Sequence, residues 1–113
     1  MAVEITEEFV WQNIPPRAPD SHKGTFGSVL AVAGSAFYRG AALLAAEGAL
    51  RTGAGIVTLA SVEPVVSAAV TRLPECCLCP CKDGAQGGIA PENVSLLRRQ
   101  KATVLLLGPG LGG

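Results

Sequence analysis

The sequence lacks an excess of charge of either sign: its 113 residues carry nine basic and nine acidic side chains, a formal net charge of zero. No basic field therefore exists to hold nucleic acid or an anionic membrane. A long apolar run is also missing, since the longest uncharged one falls well short of the ~20 residues that a membrane helix needs. The N-terminus, MAVEITEEFVW, is acidic and has no apolar centre, unlike a secretory signal. A soluble, cytoplasmic protein is expected. Histidine is nearly absent, with His22 alone. The four cysteines of ECCLCPC, at Cys76, Cys77, Cys79 and Cys81, thus lack partner ligands for a zinc site. Cysteines this close cannot staple distant parts of a fold. They read as reduced thiols on a short strand, where alternation would put Cys77, Cys79 and Cys81 on one face. The acids Asp20, Glu47, Glu63, Glu75, Asp83 and Glu92 are scattered, and no catalytic triad, carboxylate pair or metal cluster can be assembled from them.

What is present is a globular composition, 49% hydrophobic and 16% charged, of a length that suits one domain or a piece of one. Residues 1–24 read as irregular, broken by Pro15, Pro16 and Pro19, with Phe9, Val10, Trp11 and Ile14 expected to cover a core edge. Four short apolar runs read as strands: Ser28–Ala33, Ile56–Ser61, the weaker Glu75–Cys81, and Thr103–Leu107. Between them lie three helical segments. Gly40–Arg51 is rich in helix formers and has Gly53 as its stop. Glu63–Arg72 carries Pro64 in its first turn. Pro91–Gln100 has Glu92 early and Arg98 and Arg99 late, as the helix dipole favours. Lys82–Ala90 reads as a glycine-rich loop. This βαβαβαβ order predicts an α/β fold, a mostly parallel sheet with helices on both faces.

In such sheets ligands bind beyond the carboxyl ends of the strands. Gly34-Ser35 follows the first strand and Gly108-Pro109-Gly110 the last. Neither loop is a standard phosphate cradle. Gly34 to Gly40 is one residue too long for a Walker loop, and Ala41 stands where the lysine belongs. Gly108, Gly110 and Gly113 match G-x-G-x-x-G in form, but after the last strand and with no helix to follow. That leaves a tight turn, or a binding loop in which a ligand presses on backbone amides. Gly40 and Ala41 open a helix, whose free amides make a seat for an anion or a carbonyl. Ala41, Ala42, Ala45 and Ala46 also suit simple close packing of that helix on the sheet. His22 and Lys23 read as a solvated loop.

Three strings in order, RAPDSHKGTFGSVLAVAGS, YRGAALLAAEGALRTGAGIVTLA and LLLGPGLG, resemble the NAD(P)H-hydrate dehydratases, metabolite-repair enzymes with a ribokinase-like fold. The resemblance runs from about Arg17 to Gly112 and is weakest over Cys76–Cys81. It implies a reaction in which ADP or ATP, with Mg2+, phosphorylates the hydroxyl of hydrated NADH or NADPH, and loss of phosphate restores the dinucleotide. It implies hydrate-lining roles for Ala41 with Gly40, and for Gly110 first and Gly112 second, all acting through backbone. The partners implied are the hydrated dinucleotide and an adenine nucleotide, with a homo-oligomer at full length.

Members of that family are more than twice as long. Their later half carries a histidine-containing substrate loop and a Gly-Thr-Gly-Asp-like loop that supplies the general base and an anion hole. The resemblance therefore implies that residues 1–113 are the N-terminal part of one such domain, without catalytic residues of their own and with an unpaired sheet edge. Two rival readings stand: a ribokinase-like kinase of a vitamin or hydroxymethyl compound, and a non-catalytic nucleotide-binding protein.

Overall fold

The structure, a computed structural model, describes residues 3–14 and 27–112. His22, Lys23 and most of the first family-like string lie outside the described residues.

The order of elements is α1 (Glu7–Asn13), β1 (Ser28–Val32), α2 (Arg39–Arg51), β2 (Ile56–Val62), α3 (Glu63–Arg72), β3 (Cys77–Cys81), α4 (Val94–Arg98) and β4 (Val104–Leu107). The strands form one parallel sheet in the order β3-β2-β1-β4. β1 aligns Ser28 to Val32 with Ile56 to Ala60 on one side, and Val29 to Val32 with Val104 to Leu107 on the other.

Over β1 and β2 both faces of the sheet are covered, which explains their unbroken apolar runs. Ala31, Ala33, Val57 and Leu59 pack on one face with Ala42, Leu43 and Ala46 of α2 and Val65 and Ala69 of α3. Leu30, Val32, Ala60, Cys79 and Cys81 form the core of the other face, with Leu96 and Leu97 of the α4 segment against it. The alanines of α2 bring its axis close to the sheet. β2 runs straight into α3 with no loop, because Glu63 and Pro64 suit a first helical turn.

Three expectations are corrected. Residues Glu7–Asn13 form a helix, not irregular chain. Thr6 caps it, its hydroxyl accepting from the Phe9 N–H, and Glu7 and Glu8 occupy the first turn; the prolines all lie beyond its end. Phe9, Val10, Trp11 and Ile14 are exposed, so they cover no core edge among the described residues. The segment Pro91–Gln100 is only partly α-helical: a 3-10 turn over Pro91–Asn93 leads into α4. The Asn93 side chain accounts for that turn. It accepts from the Lys82 N–H and donates to the Lys82 and Ala90 carbonyls, pinning the chain to the end of β3.

The sheet is not equally finished at its two edges. Among the described residues β4 pairs only with β1, and Val104, Leu105, Leu106 and Leu107 are all exposed. A cavity of about 320 Å³ lies beside it, lined by Leu30, Val32, Val94, Leu97, Leu105 and Leu107 among others.

Candidate ligand-binding site

Strand order reverses at β1. From β1 the chain steps to β2 and β3 on one side, while β4 lies on the other. The loops that leave β1 and β4 therefore part at the carboxyl end of the sheet, and a crevice opens at such a switch point. Backbone hydrogen bonds tie the two loops at its base. The Gly34 N–H donates to the Pro109 carbonyl (2.9 Å) and the Gly108 N–H to the Val32 carbonyl (2.8 Å).

Two glycines make this approach possible. Gly34 has φ +83°, and a Cβ there would stand 2.8 Å from the Ala42 Cβ, 3.0 Å from the Ser61 Oγ and 3.1 Å from a Val65 methyl. Gly110 has φ +74°, and its Cβ would stand 2.9 Å from the Tyr38 carbonyl oxygen. Side chains at these positions would be strained at the backbone and would collide with it. Gly110 thus rests on Tyr38, the residue that precedes α2.

That contact joins the second loop to a helix start. Tyr38 makes no side-chain cap, so no side chain satisfies the first amides of α2. Arg39 curls back instead, its Nε donating to the Ala36 carbonyl at 2.7 Å. Gly40 is exposed and Ala41 half-buried, and a Cβ at Gly40 would meet nothing within 4 Å. The start of α2 offers free N–H groups, positive dipole and open space. The four residues singled out from sequence are brought to one region: Gly40 and Ala41 open α2, Gly110 lies against Tyr38, and Gly112 lies beside Ser35.

A third loop joins them that the sequence reading had noted only as glycine-rich. Residues 82–90 fold back after β3, with an isolated bridge between Asp83 and Ile89 and the Gly84 N–H donating to the Gly88 carbonyl. The Ala36 N–H donates to the Gly87 carbonyl (2.8 Å). A Cβ on Gly88 would lie 2.9 Å from the Leu111 carbonyl oxygen. The loop therefore touches both others.

Two hydroxyls at this end of the sheet, Ser35 Oγ and Ser61 Oγ, are buried without a hydrogen-bond partner. Such groups cost free energy and mark places where packing alone does not explain the residue. The cysteines do not line the crevice. Burial pushes the Cys76 thiol up from its ordinary range and the Cys81 thiol up to about 11, so neither is a ready nucleophile. Among the described residues no group of three His, Cys, Asp or Glu side chains could hold a metal ion. The crevice presents backbone, hydroxyls and small side chains, a donor set unsuited to Mg2+. It can hold and orient a polar ligand.

The family model described as NAD(P)H-hydrate dehydratase matches residues 29–113. An ADP-dependent (S)-NAD(P)H-hydrate dehydratase of Listeria monocytogenes is 39% identical over 111 residues, covering 96% of this chain and 37% of the relative. A bifunctional NAD(P)H-hydrate repair enzyme of Thermofilum pendens is 39% identical over 101 residues, covering 88% of this chain and 19% of the relative. Among solved structures, an ADP/ATP-dependent NAD(P)H-hydrate dehydratase from Bacillus subtilis, co-crystallised with ATP/Mg2+, superposes with a TM-score of 0.72 at 35% identity, over 94% of this chain and 36% of that one. A ribokinase-like protein from Enterococcus faecalis gives 0.77 at 28% identity, over 96% and 36%. The α/β fold is thus that of the ribokinase-like dehydratases. The chain spans little more than a third of the length of the longest-matching curated relatives.

Proposed function

The chain belongs to the NAD(P)H-hydrate dehydratase family, and on that premise we propose that it is the N-terminal part of a nucleotide-dependent hydro-lyase acting on hydrated NADH and NADPH. One observation carries the reading: the loops after β1 and β4 leave the sheet at its switch point, tied at their base by backbone hydrogen bonds and lying beside the uncapped start of α2.

In this reading the crevice holds the hydrated dinucleotide. The free amides at Gly40 and Ala41 receive its polar groups, and the loop through Gly110 and Gly112 closes over it. An adenine nucleotide, ADP or ATP, supplies the phosphoryl group that turns a hydroxyl into a better leaving group. The described residues contribute binding and orientation. As the family resemblance implies, the nucleotide, Mg2+ and the general base belong to the later part of the domain. The hydrated dinucleotide and the nucleotide are the partners. The zero net charge fits a partner list without nucleic acid or membrane. The full-length protein is read as a cytoplasmic homo-oligomer, to be checked by its mass in solution.

The test is a paired assay on the full-length protein with hydrated NADH and ADP or ATP. A dehydratase restores NADH and releases free phosphate. Accumulation of a phosphorylated product instead would indicate a small-molecule kinase of the same fold. Residues 1–113 alone are expected to give no turnover. In the full-length protein Ala41→Trp should block the hydrate site, and unchanged affinity for the hydrate would refute that placement.

A further inference from the structure

A cavity of about 460 Å³ lies beside the crevice, bounded by Gly84, Ala85, Gln86, Gly88 and Ile89 of the third loop and by Leu111 and Gly112. Its walls are held in place by the contacts already described. The Ala36 N–H holds the Gly87 carbonyl, and Gly88 abuts the Leu111 carbonyl so closely that a Cβ would not fit. Gly87 is fitted as tightly, since its Cβ would stand 2.8 Å from the Ala36 Cβ. The tip of the loop, at Ala85 and Gln86, is exposed.

The lining has a definite chemistry. Ile89, Pro91 and Leu111 supply apolar contact. The glycines supply stretches of backbone without side chains, against which a flat ring can lie. Gln86 supplies an amide that both donates and accepts. Apolar walls with one or two directed polar groups are the usual make-up of a small-molecule subsite.

We infer that this cavity is a second subsite of the crevice, which takes a planar heterocycle of the bound dinucleotide, and that Gln86 is a specificity-determining residue there. The inference rests on the reading of the crevice as a hydrated-dinucleotide site. It adds a loop and a subsite to that reading. The loop after β3 gains a purpose: it adds a third wall to the crevice formed by the other two loops.

The experiment compares Gln86→Trp and Ala85→Trp with the unaltered full-length protein. Both positions are exposed, so melting temperatures should stay close to that of the parent. The assay is restoration of NADH from its hydrate, and NADPH serves as the binding probe. The expected result is a KM raised at least tenfold with kcat within twofold, and a parallel loss of NADPH affinity. Gln86→Ala should raise KM by less, through loss of the amide alone. If both tryptophan variants fold and keep the parent KM, the subsite is overturned while the dehydratase reading stands. If another part of the full-length chain fills the cavity, the tryptophans will lower the melting temperature and leave KM in place, which also overturns it. A parent protein that neither binds NADPH nor restores NADH removes the dehydratase reading and this inference together.

Discussion

The two ends of the sheet are built by opposite means. At the amino end, Ser28 and Thr103 satisfy each other across β1 and β4. The Thr103 hydroxyl accepts from the Ser28 N–H at 3.1 Å, and the Thr103 N–H donates to the Ser28 carbonyl at 2.9 Å and faces its hydroxyl at 3.2 Å. Polar groups there are matched and the strands are laced together. At the carboxyl end, Ser35 and Ser61 are left without partners, and left-handed glycines gather at Gly34, Gly87, Gly108, Gly110 and Gly112, against Gly27 and Gly53 at the amino end. The difference teaches where this fold spends stability. One end fixes register; the other keeps backbone groups and space available, at a cost that the first end helps to offset.

The comparison can be broken most sharply at Gly34. Gly34→Val puts a branched side chain into contacts of 2.8 to 3.1 Å at a positive φ. A loss of about 3–5 kcal/mol is expected from overpacking and backbone strain together, or loss of the folded state altogether. Urea unfolding of the 113-residue chain measures it, and a loss below about 1 kcal/mol would mean that the loop has room to move. Ser35→Ala tests the unmatched hydroxyl. Removing a buried group without a partner should raise stability by about 1 kcal/mol. A fall of the same size would mean that the hydroxyl has found a partner in solution. Thr103→Val sharpens the contrast from the matched end. It removes the acceptor for the Ser28 N–H, and because the pair is exposed the expected loss is about 0.5 kcal/mol. A further effect concerns pH. The Cys81 thiol is raised to about 11 from 9.0 by burial first, then by Cys79. The folded chain therefore holds this proton where the unfolded chain has released it. The contribution is fully present below pH 9 and is lost as pH rises towards 11. Urea midpoints across that range should fall, and should fall less in Cys81→Ala.

Much of this was legible in the residues themselves. α3 was readable to its ends, because Glu63, Pro64 and Arg72 are local signals that need no tertiary contact. The strand runs were readable because both faces of a parallel sheet are buried. The meeting of the α2 start with the Gly110 loop was implied by the family resemblance alone, because strand order, which sets it, is not written in the local pattern. The reason for Gly110 was not legible: it lies in the Tyr38 carbonyl, 72 positions away along the chain. The third loop escaped for the same cause, since Gly88 is required by Leu111 and Gly87 by Ala36. α1 is short and none of its residues is buried, so its only sequence signals are the Thr6 cap and the acids Glu7 and Glu8. The shortness of α4 depends on Asn93 reaching back to Lys82, a contact that no local pattern encodes.

The uncovered β4 has a consequence best put as a contest between two concentrations. Its open edge presents unpaired backbone and four exposed leucine and valine side chains, a template that any strand can join. A further strand on the same chain would meet it at an effective concentration in the millimolar range, as short tethers give. A second molecule meets it only at whatever concentration the solution holds. In a longer chain such a tethered strand would have the advantage of proximity at every dilution. Among the described residues no strand takes that place, and dilution becomes the means of keeping β4 from a second molecule.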